Sequence, residues 1–363
     1  MRIVCVGYLH GSGGAERQII NLANALTDYG HEVYLLVLAE NNRKFYISDK
    51  VNVVDLSGYE KEKSMTIFHR FIAYKREICR IKPDVSIHFW VQSVYFSYLI
   101  SEKNKGIVIY SERGDPGDSE YDGLLGIIRD ISFTKVKYFV FQSKAAKRYF
   151  SKKIQKRSIV IPNSIDISDC MEKEMEDKGC LEKKIINVGR LHSQKNQELL
   201  IRSFSQIADR VPNYKLDIYG EGELEDSLKK TIHRLHLDER VNIFPPTSNI
   251  HEKIMESSIF VLSSDFEGMP NVLLEAMAMG KICISRDYKP GGVDEIIKDG
   301  INGFIVRSNR KGELAKRMLY VINNIEKLDG VSNNAKRLKE KLSFEKIYRK
   351  WNVTITELFH KND

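Results

Sequence analysis

Thirteen short apolar runs punctuate the chain, and between them hydrophobic residues recur at helical spacing. Seven fall in the first half: RIVCVG, EVYLLVL, VNVVDL, DVSIHFW, GIVIYS, KYFVFQ and SIVIPN. Six fall in the second: KIINVG, YKLDIYG, RVNIF, SIFVLSS, KICISR and NGFIVR. Near-continuous apolar strands alternating with amphipathic segments are what a parallel sheet covered on both faces by helices requires. Between the two series, Ser164–Lys183 reads SIDISDCMEKEMEDKGCLEK, which is polar, charged and without apolar periodicity. The pattern therefore predicts an α/β protein of two doubly wound domains, residues 1–163 and 183–343, with a linker at 164–182. The final segment, 344–363, reads as an amphipathic helix with Ser343 as a plausible N-cap. Ligands of doubly wound sheets bind at the carboxyl ends of the strands, so two such domains facing each other would form a cleft.

Composition narrows the setting. At 363 residues and 42% hydrophobic, the chain can bury two ordinary cores. MRIVCVGYLHG enters a strand at once, and no apolar stretch approaches the ~20 residues of a membrane span, so neither a signal peptide nor a transmembrane helix is expected. The five cysteines are scattered and form no C-x-x-C pair, which fits a reducing cytoplasm. Net charge is +8, and residues 1–162 hold 25 Lys/Arg against 17 Asp/Glu while the remainder holds 32 of each. A basic first half suits an anionic partner, whether nucleic acid, acidic lipid or a phosphorylated substrate; the plainer alternative is a solubilising surface. No nucleic-acid readout motif, tandem repeat, zinc-finger spacing or H-E-x-x-H accompanies it, so nucleic acid ranks last.

Three stretches carry candidate chemistry. In GYLHGSGGAERQII, the glycines Gly11, Gly13 and Gly14 precede a helix whose first amides could face a phosphate or sugar, although Glu16 stands where a dinucleotide fingerprint needs its last glycine. A tight turn without a ligand is the alternative. NVGRLHSQKNQELLI places Arg190 and Lys195 where a strand hands over to a helix, and two fixed cations there could hold a diphosphate as it departs. EGMPNVLLEAM sets Glu267 in a Gly268/Pro270 turn and Glu275 about one turn inside the following helix. Carboxylates grip the diols of ribose and hexose well. An acidic cap plus a solvent-facing Glu explains neither the turn nor the apolar LLEAMAMG wall.

The set GSGGAER, VGRLHSQKN, IYGEGEL and EGMPNVLLEAMAMGK, followed by GGVDEIIKDGINGFIV, resembles the retaining GT-B glycosyltransferases of family 4, over essentially the whole chain. The resemblance implies two Rossmann-like domains facing across a cleft and a nucleotide-sugar donor held by the second. It implies that Arg190 and Lys195 bind the diphosphate, Glu275 the ribose and Glu267 the transferred sugar. Gly268, Met269, Pro270, Asn271 and Val272 would contact sugar and phosphate. Gly220, Glu221, Gly222 and Phe244 would border the nucleobase, Gly13 and Gly14 would lie near phosphates or acceptor, and the last helix would cross back to the first domain. No cofactor or metal is expected beyond the co-substrate, a UDP-sugar by resemblance. The acceptor implied is a glycan or a polyprenyl-diphosphate-linked glycan. The charge asymmetry would let the basic first domain contact anionic lipid at the cytoplasmic face of the membrane through Phe68–Lys82 and Lys144–Arg157, the alternative for the first segment being an ordinary sheet-covering helix with its apolar stripe buried. The sequence departs from the family at YSERGDPGD, where Arg113 occupies the place of an expected histidine. A guanidinium is no base but could bind an anionic acceptor. His88, ending another strand, is a structural or acceptor-wall residue. Two rivals stay open: a nucleotide-sugar 2-epimerase of the same architecture and a non-catalytic binding module.

Overall fold

β1 (Arg2–Leu9) is buried continuously from Ile3 to Gly7, because parallel neighbours flank it on both sides. The structure is a computed structural model of the chain, and it describes all residues except 10, 12, 42–44, 58–65, 115–122, 168–181, 291, 308–309, 311 and 362–363. The chain divides into two units, Met1–Ser164 with Phe344–Asp363, and Ile165–Ser343.

The first unit contains β1, β2 (Glu32–Asn41), β3 (Asn52–Asp55), β4 (Val85–His88), β5 (Ile107–Glu112), β6 (Tyr138–Phe141) and β7 (Ser158–Val160). Their order is β3-β2-β1-β4-β5-β6-β7, all parallel. The order reverses between β1 and β4, which makes the loops after those strands the natural ligand position. Helix Phe344–His360 closes this unit: Tyr348, Trp351 and Ile355 are buried, Tyr348 Oη donates to Gln18 Oε1 (3.0 Å), and Trp351 stacks on Phe89 at 6.3 Å.

The second unit contains β8 (Glu182–Val188), β9 (Lys215–Tyr219), β10 (Val241–Phe244), β11 (Ser257–Leu262), β12 (Ile282–Arg286) and β13 (Phe304–Val306), ordered β10-β9-β8-β11-β12-β13 and again parallel. Strand alternation feeds two cores. Ile259 and Val261 of β11 join one cluster, whereas Phe260 and Leu262 join the other with Leu273, Leu274 and Met277. The same second cluster takes in Ile165 and Ile167, so the segment read as a linker begins inside this unit's core. The rest of it, 168–181, lies outside the described residues. Its polar character hid these anchors because two isoleucines in SIDISD make no helical or strand-length run.

Cys5 and Cys283 are buried, and burial pushes the Cys5 thiol up to about 12; both are packing residues rather than nucleophiles. Cys170 and Cys180 lie outside the described residues. Among the described residues no helix is long and apolar enough to cross a membrane.

Candidate functional site

In the second unit the strand order reverses between β8 and β11, and the loops leaving these two strands bring the predicted cations and carboxylate together. After β8, Gly189 donates to Tyr219 O (3.0 Å), and a Cβ there would come within 3.3 Å of the Lys195 stem. Lys195 closes a single 3-10 turn, Ser193–Lys195, and Asn196 (φ 47°) caps the helix Gln197–Ser205 through Oδ1 to Leu199 N (3.2 Å). Ser263 Oγ, at the end of β11, donates to Lys195 O (2.7 Å). These contacts fix the Lys195 backbone from both loops.

Glu267 N donates to Lys289 O (2.9 Å), and the residue is only 6% exposed. Its Oε1 accepts from Lys195 Nζ at 2.6 Å and from Ser264 Oγ at 2.7 Å. A buried carboxylate is tolerated when paired and hydrogen-bonded, and this one is both. Oε2 takes no hydrogen bond from the described residues and retains acceptor capacity. Arg190, by contrast, is exposed; its Nη2 donates to Gln194 Oε1 (3.4 Å), and Gln194 Nε2 donates to Phe266 O (3.0 Å). Gln194 thus ties the arginine to the glutamate's loop. Asp265, between them, pairs with Arg286 and accepts from Asn196 Nδ2 (2.9 Å).

The following helix runs Asn271–Ala278 with Pro270 as its N-cap residue, one position earlier than a proline inside the first turn. Gly268, Met269, Pro270, Asn271 and Val272 form the loop and helix start beside Glu267. Glu275 is 4% exposed rather than solvent-facing, and its Oε2 lies 3.3 Å from His251 Nε2 on the neighbouring helix Ile250–Glu256. The apolar residues around it, Leu273, Leu274, Ala276 and Met277, are fully buried.

A third loop leaves β9 beside them. A Cβ on Gly220 would lie 2.0 Å from Gly189 O, and one on Gly222 (φ 155°) would lie 2.4 Å from Leu191 O, so only glycine lets these two loops touch. Leu191 N donates to Glu221 O (2.8 Å), while the Glu221 side chain is exposed. Phe244, at the end of β10, stacks on Tyr219 with centroids 4.9 Å apart, which leaves a flat aromatic edge at the same end of the sheet.

The first unit's residues are arranged separately. Gly11 N donates to Glu16 Oε2 (2.9 Å); Gly13 is the N-cap of the helix Gly14–Asp28, and a Cβ there would lie 3.1 Å from Glu16 Oε1. The glycine loop therefore closes on the Glu16 carboxylate, the residue that breaks the dinucleotide fingerprint. Arg113 is packed against aromatic rings, its guanidinium 4.7 Å from the Phe89 centroid and 5.6 Å from that of Trp351, and Nη1 donates to Asn163 Oδ1 (2.6 Å). Burial lowers its pKa to about 10. His88 is fully buried, so its ring is part of the core and not of a ligand-facing wall. Ser93 Oγ donates to Trp90 O (2.6 Å), which assigns the proton of the 2.9 Å His88–Ser93 contact to His88 Nδ1.

Burial, with Lys105 nearby, lowers the His88 pKa to about 3. Above pH of about 6.5 neither the folded nor the unfolded chain protonates this ring, and the neutral side chain carries no pH-dependent cost. Below that, the unfolded chain takes up a proton that the folded one refuses, and stability falls by about 1.4 kcal/mol per pH unit until the folded pKa is reached. Denaturant titrations of wild type and His88→Gln check this: the stability advantage of wild type shrinks by about 2 kcal/mol between pH 6.5 and 5. An advantage that stays constant over that range assigns the ring a different protonation.

The model of glycosyl transferases group 1 matches residues 172–338, and that of glycosyltransferase family 4 matches residues 12–169. An uncharacterised glycosyltransferase of Haemophilus influenzae is 27% identical over 345 residues, 94% of this chain and 95% of the relative. A Campylobacter jejuni relative is 25% identical over 354 residues, 96% of each chain; its name is GalNAc-alpha-(1->4)-GalNAc-alpha-(1->3)-diNAcBac-PP-undecaprenol alpha-1,4-N-acetyl-D-galactosaminyltransferase. The crystal structure of Anabaena Alr3699/HepE in complex with UDP and glucose shares the fold, with a TM-score of 0.80 at 18% identity over 98% of this chain and 100% of that one. The two family models between them span both units, and the chain belongs to the family 4 glycosyltransferases, hexosyltransferases of the GT-B fold.

Proposed function

We propose that the protein moves a hexose or N-acetylhexosamine from a UDP-sugar to a hydroxyl of a glycan or polyprenyl-diphosphate-linked glycan, with retention and without a metal. The observation that carries this reading is the half-buried Lys195 paired with the buried Glu267 and Ser264, with Arg190 tethered beside them, at the switch point of the second sheet. Arg190 and Lys195 hold the diphosphate and neutralise its growing charge, a task that oriented cations in a dry site perform well. Glu267 Oε2 accepts from a sugar hydroxyl, and Glu275, held by His251, takes the ribose diol. Met269 and the Gly268–Val272 loop flank the sugar and phosphates, and Gly220, Glu221, Gly222 and Phe244 form the nucleobase edge.

In the transfer, the bond from sugar C1 to the diphosphate oxygen breaks, the acceptor oxygen bonds C1 from the same face, and the acceptor proton passes to the departing diphosphate. Gly13 and Gly14 serve the acceptor or phosphates, and Arg113 braces that side from within the first unit. The Campylobacter relative's name supports a lipid-linked glycan as acceptor; we place the transfer at the cytoplasmic face of the membrane. A panel of UDP, GDP and ADP sugars tests the donor. Ligands that bind only the folded state raise its unfolding temperature, and a ligand at about 100 Kd adds ~2.7 kcal/mol. The UDP series gives the largest rise; a larger rise with GDP or ADP sugars assigns another base.

A further inference from the structure

Helix Gly123–Phe133 presents its apolar stripe outward, the reverse of a helix covering a core. Its inward residues are Gly126, Ser132 and Phe133, whereas Leu124, Leu125, Ile127, Ile128 and Ile131 are between 37 and 71% exposed. Leu124, Ile127, Ile128 and Ile131 stand at i, i+3, i+4 and i+7, so they share one face. The helix's two charges pair with each other, Arg129 Nε to Asp130 Oδ1 at 3.0 Å. The start of helix Thr66–Ile81 repeats the pattern: Ile67, Phe68 and Ile72 are between 47 and 72% exposed, followed by exposed Lys75 and Arg76. Both helices pack on helix Val91–Tyr98, which puts them on one side of the first unit's sheet.

The basic segment meets the helix Gly123–Phe133 at its C-terminal end. The Phe133 ring lies 6.2 Å from that of Phe150, and Arg157 Nη2 donates to Phe133 O (2.9 Å). Arg157 and Lys147 are spent inward, Lys147 on Ser158 O (3.1 Å), while Arg148, Lys152, Lys153 and Lys156 are exposed.

We propose that this face of the first unit seats on an anionic bilayer, with helix Gly123–Phe133 lying in the interface and the four exposed cations over the headgroups. Interfacial helices bind through buried apolar area plus attraction to anionic lipid, and both components are present side by side. A second copy of the chain fits less well, because two such faces would bring like-charged segments together. The inference deepens the lipid-linked acceptor reading, but its test uses neither sugar nor acceptor, so either can fail alone. Asp115, Asp118, Glu120 and Asp122 precede the helix in a stretch outside the described residues; the contrast between anionic and neutral vesicles measures which sign governs.

The full chain is floated with phosphatidylcholine vesicles, with and without about 30 mol% phosphatidylglycerol, at low salt and at about 0.5 M salt. Binding requires the anionic lipid and weakens with salt, and each of Lys152→Glu, Lys153→Glu and Lys156→Glu lowers it at least about fivefold at low salt. Replacing Leu124, Ile127 and Ile131, the most exposed of the four, together by Asn lowers binding at least about tenfold. Because these side chains are exposed, the variant keeps its unfolding temperature and its UDP-induced rise. Flotation of the apolar variant equal to wild type, or recovery independent of lipid charge, overturns the proposal. So does a dimer in analytical ultracentrifugation that the apolar variant abolishes while wild type ignores both vesicles.

Discussion

Lys195→Ala lowers kcat/KM by about 10²-fold or more, roughly 2.7 kcal/mol of transition-state stabilisation, as expected for removing one preorganised donor. It also lowers the unfolding temperature, since Glu267 stays buried with Ser264 as its remaining side-chain hydrogen-bond donor among the described residues. Arg190→Ala separates the two effects. That side chain is exposed and held through Gln194, so its loss costs a comparable factor in turnover with little change in unfolding temperature. Steady-state kinetics with a UDP-sugar, paired with thermal unfolding of both variants, checks the contrast. Turnover in Arg190→Ala within threefold of wild type would remove that residue from the diphosphate site.

The second large effect divides the carboxylates. Glu275→Gln weakens binding of UDP alone by about 10-fold or more, because the charged acceptor proposed for the ribose diol is lost and the His251 pair with it. Glu267→Gln leaves the UDP affinity within a few-fold of wild type and lowers kcat by about 10²-fold, because its proposed partner is the sugar and its charge balances Lys195. Calorimetric titration with UDP and single-turnover kinetics separate the two. Equal losses of UDP affinity in both variants would show that the roles are wrongly divided.

The strands were legible because a strand buried on both faces must be almost wholly apolar: RIVCVG and SIFVLSS could be read without knowing their neighbours. Glu267 and Glu275 were legible from a turn and an apolar wall that lie within one stretch of chain. Their partners were not. His251 sits 24 positions before Glu275 in IHEKIME, and only the packing of two helices makes them neighbours. Ser264 reads as the end of a strand, and Glu16 as a failed fingerprint, until the loops close on them. Periodicity also leaves the direction of an apolar stripe undetermined. In the helix Thr66–Ile81, Tyr74, Ile78 and Ile81 are buried as a sheet-covering helix requires, whereas Phe68 and Ile72 face out; in helix Gly123–Phe133 the whole stripe does. Arg113 and His88 ended strands as expected, but their surroundings, the Phe89–Trp351 stack and the Tyr74–Ser93 pocket, come from residues remote in sequence or on another element.

Proton NMR of the reaction run in EDTA tests the proposed metal-independent transfer with retention. With an α-linked UDP-sugar and a glycan acceptor, the enzyme releases UDP and gives a new anomeric signal with the small coupling of an α linkage, at a rate that added magnesium does not raise. A β-linked product, or turnover absent in EDTA and restored by magnesium or manganese, would contradict it.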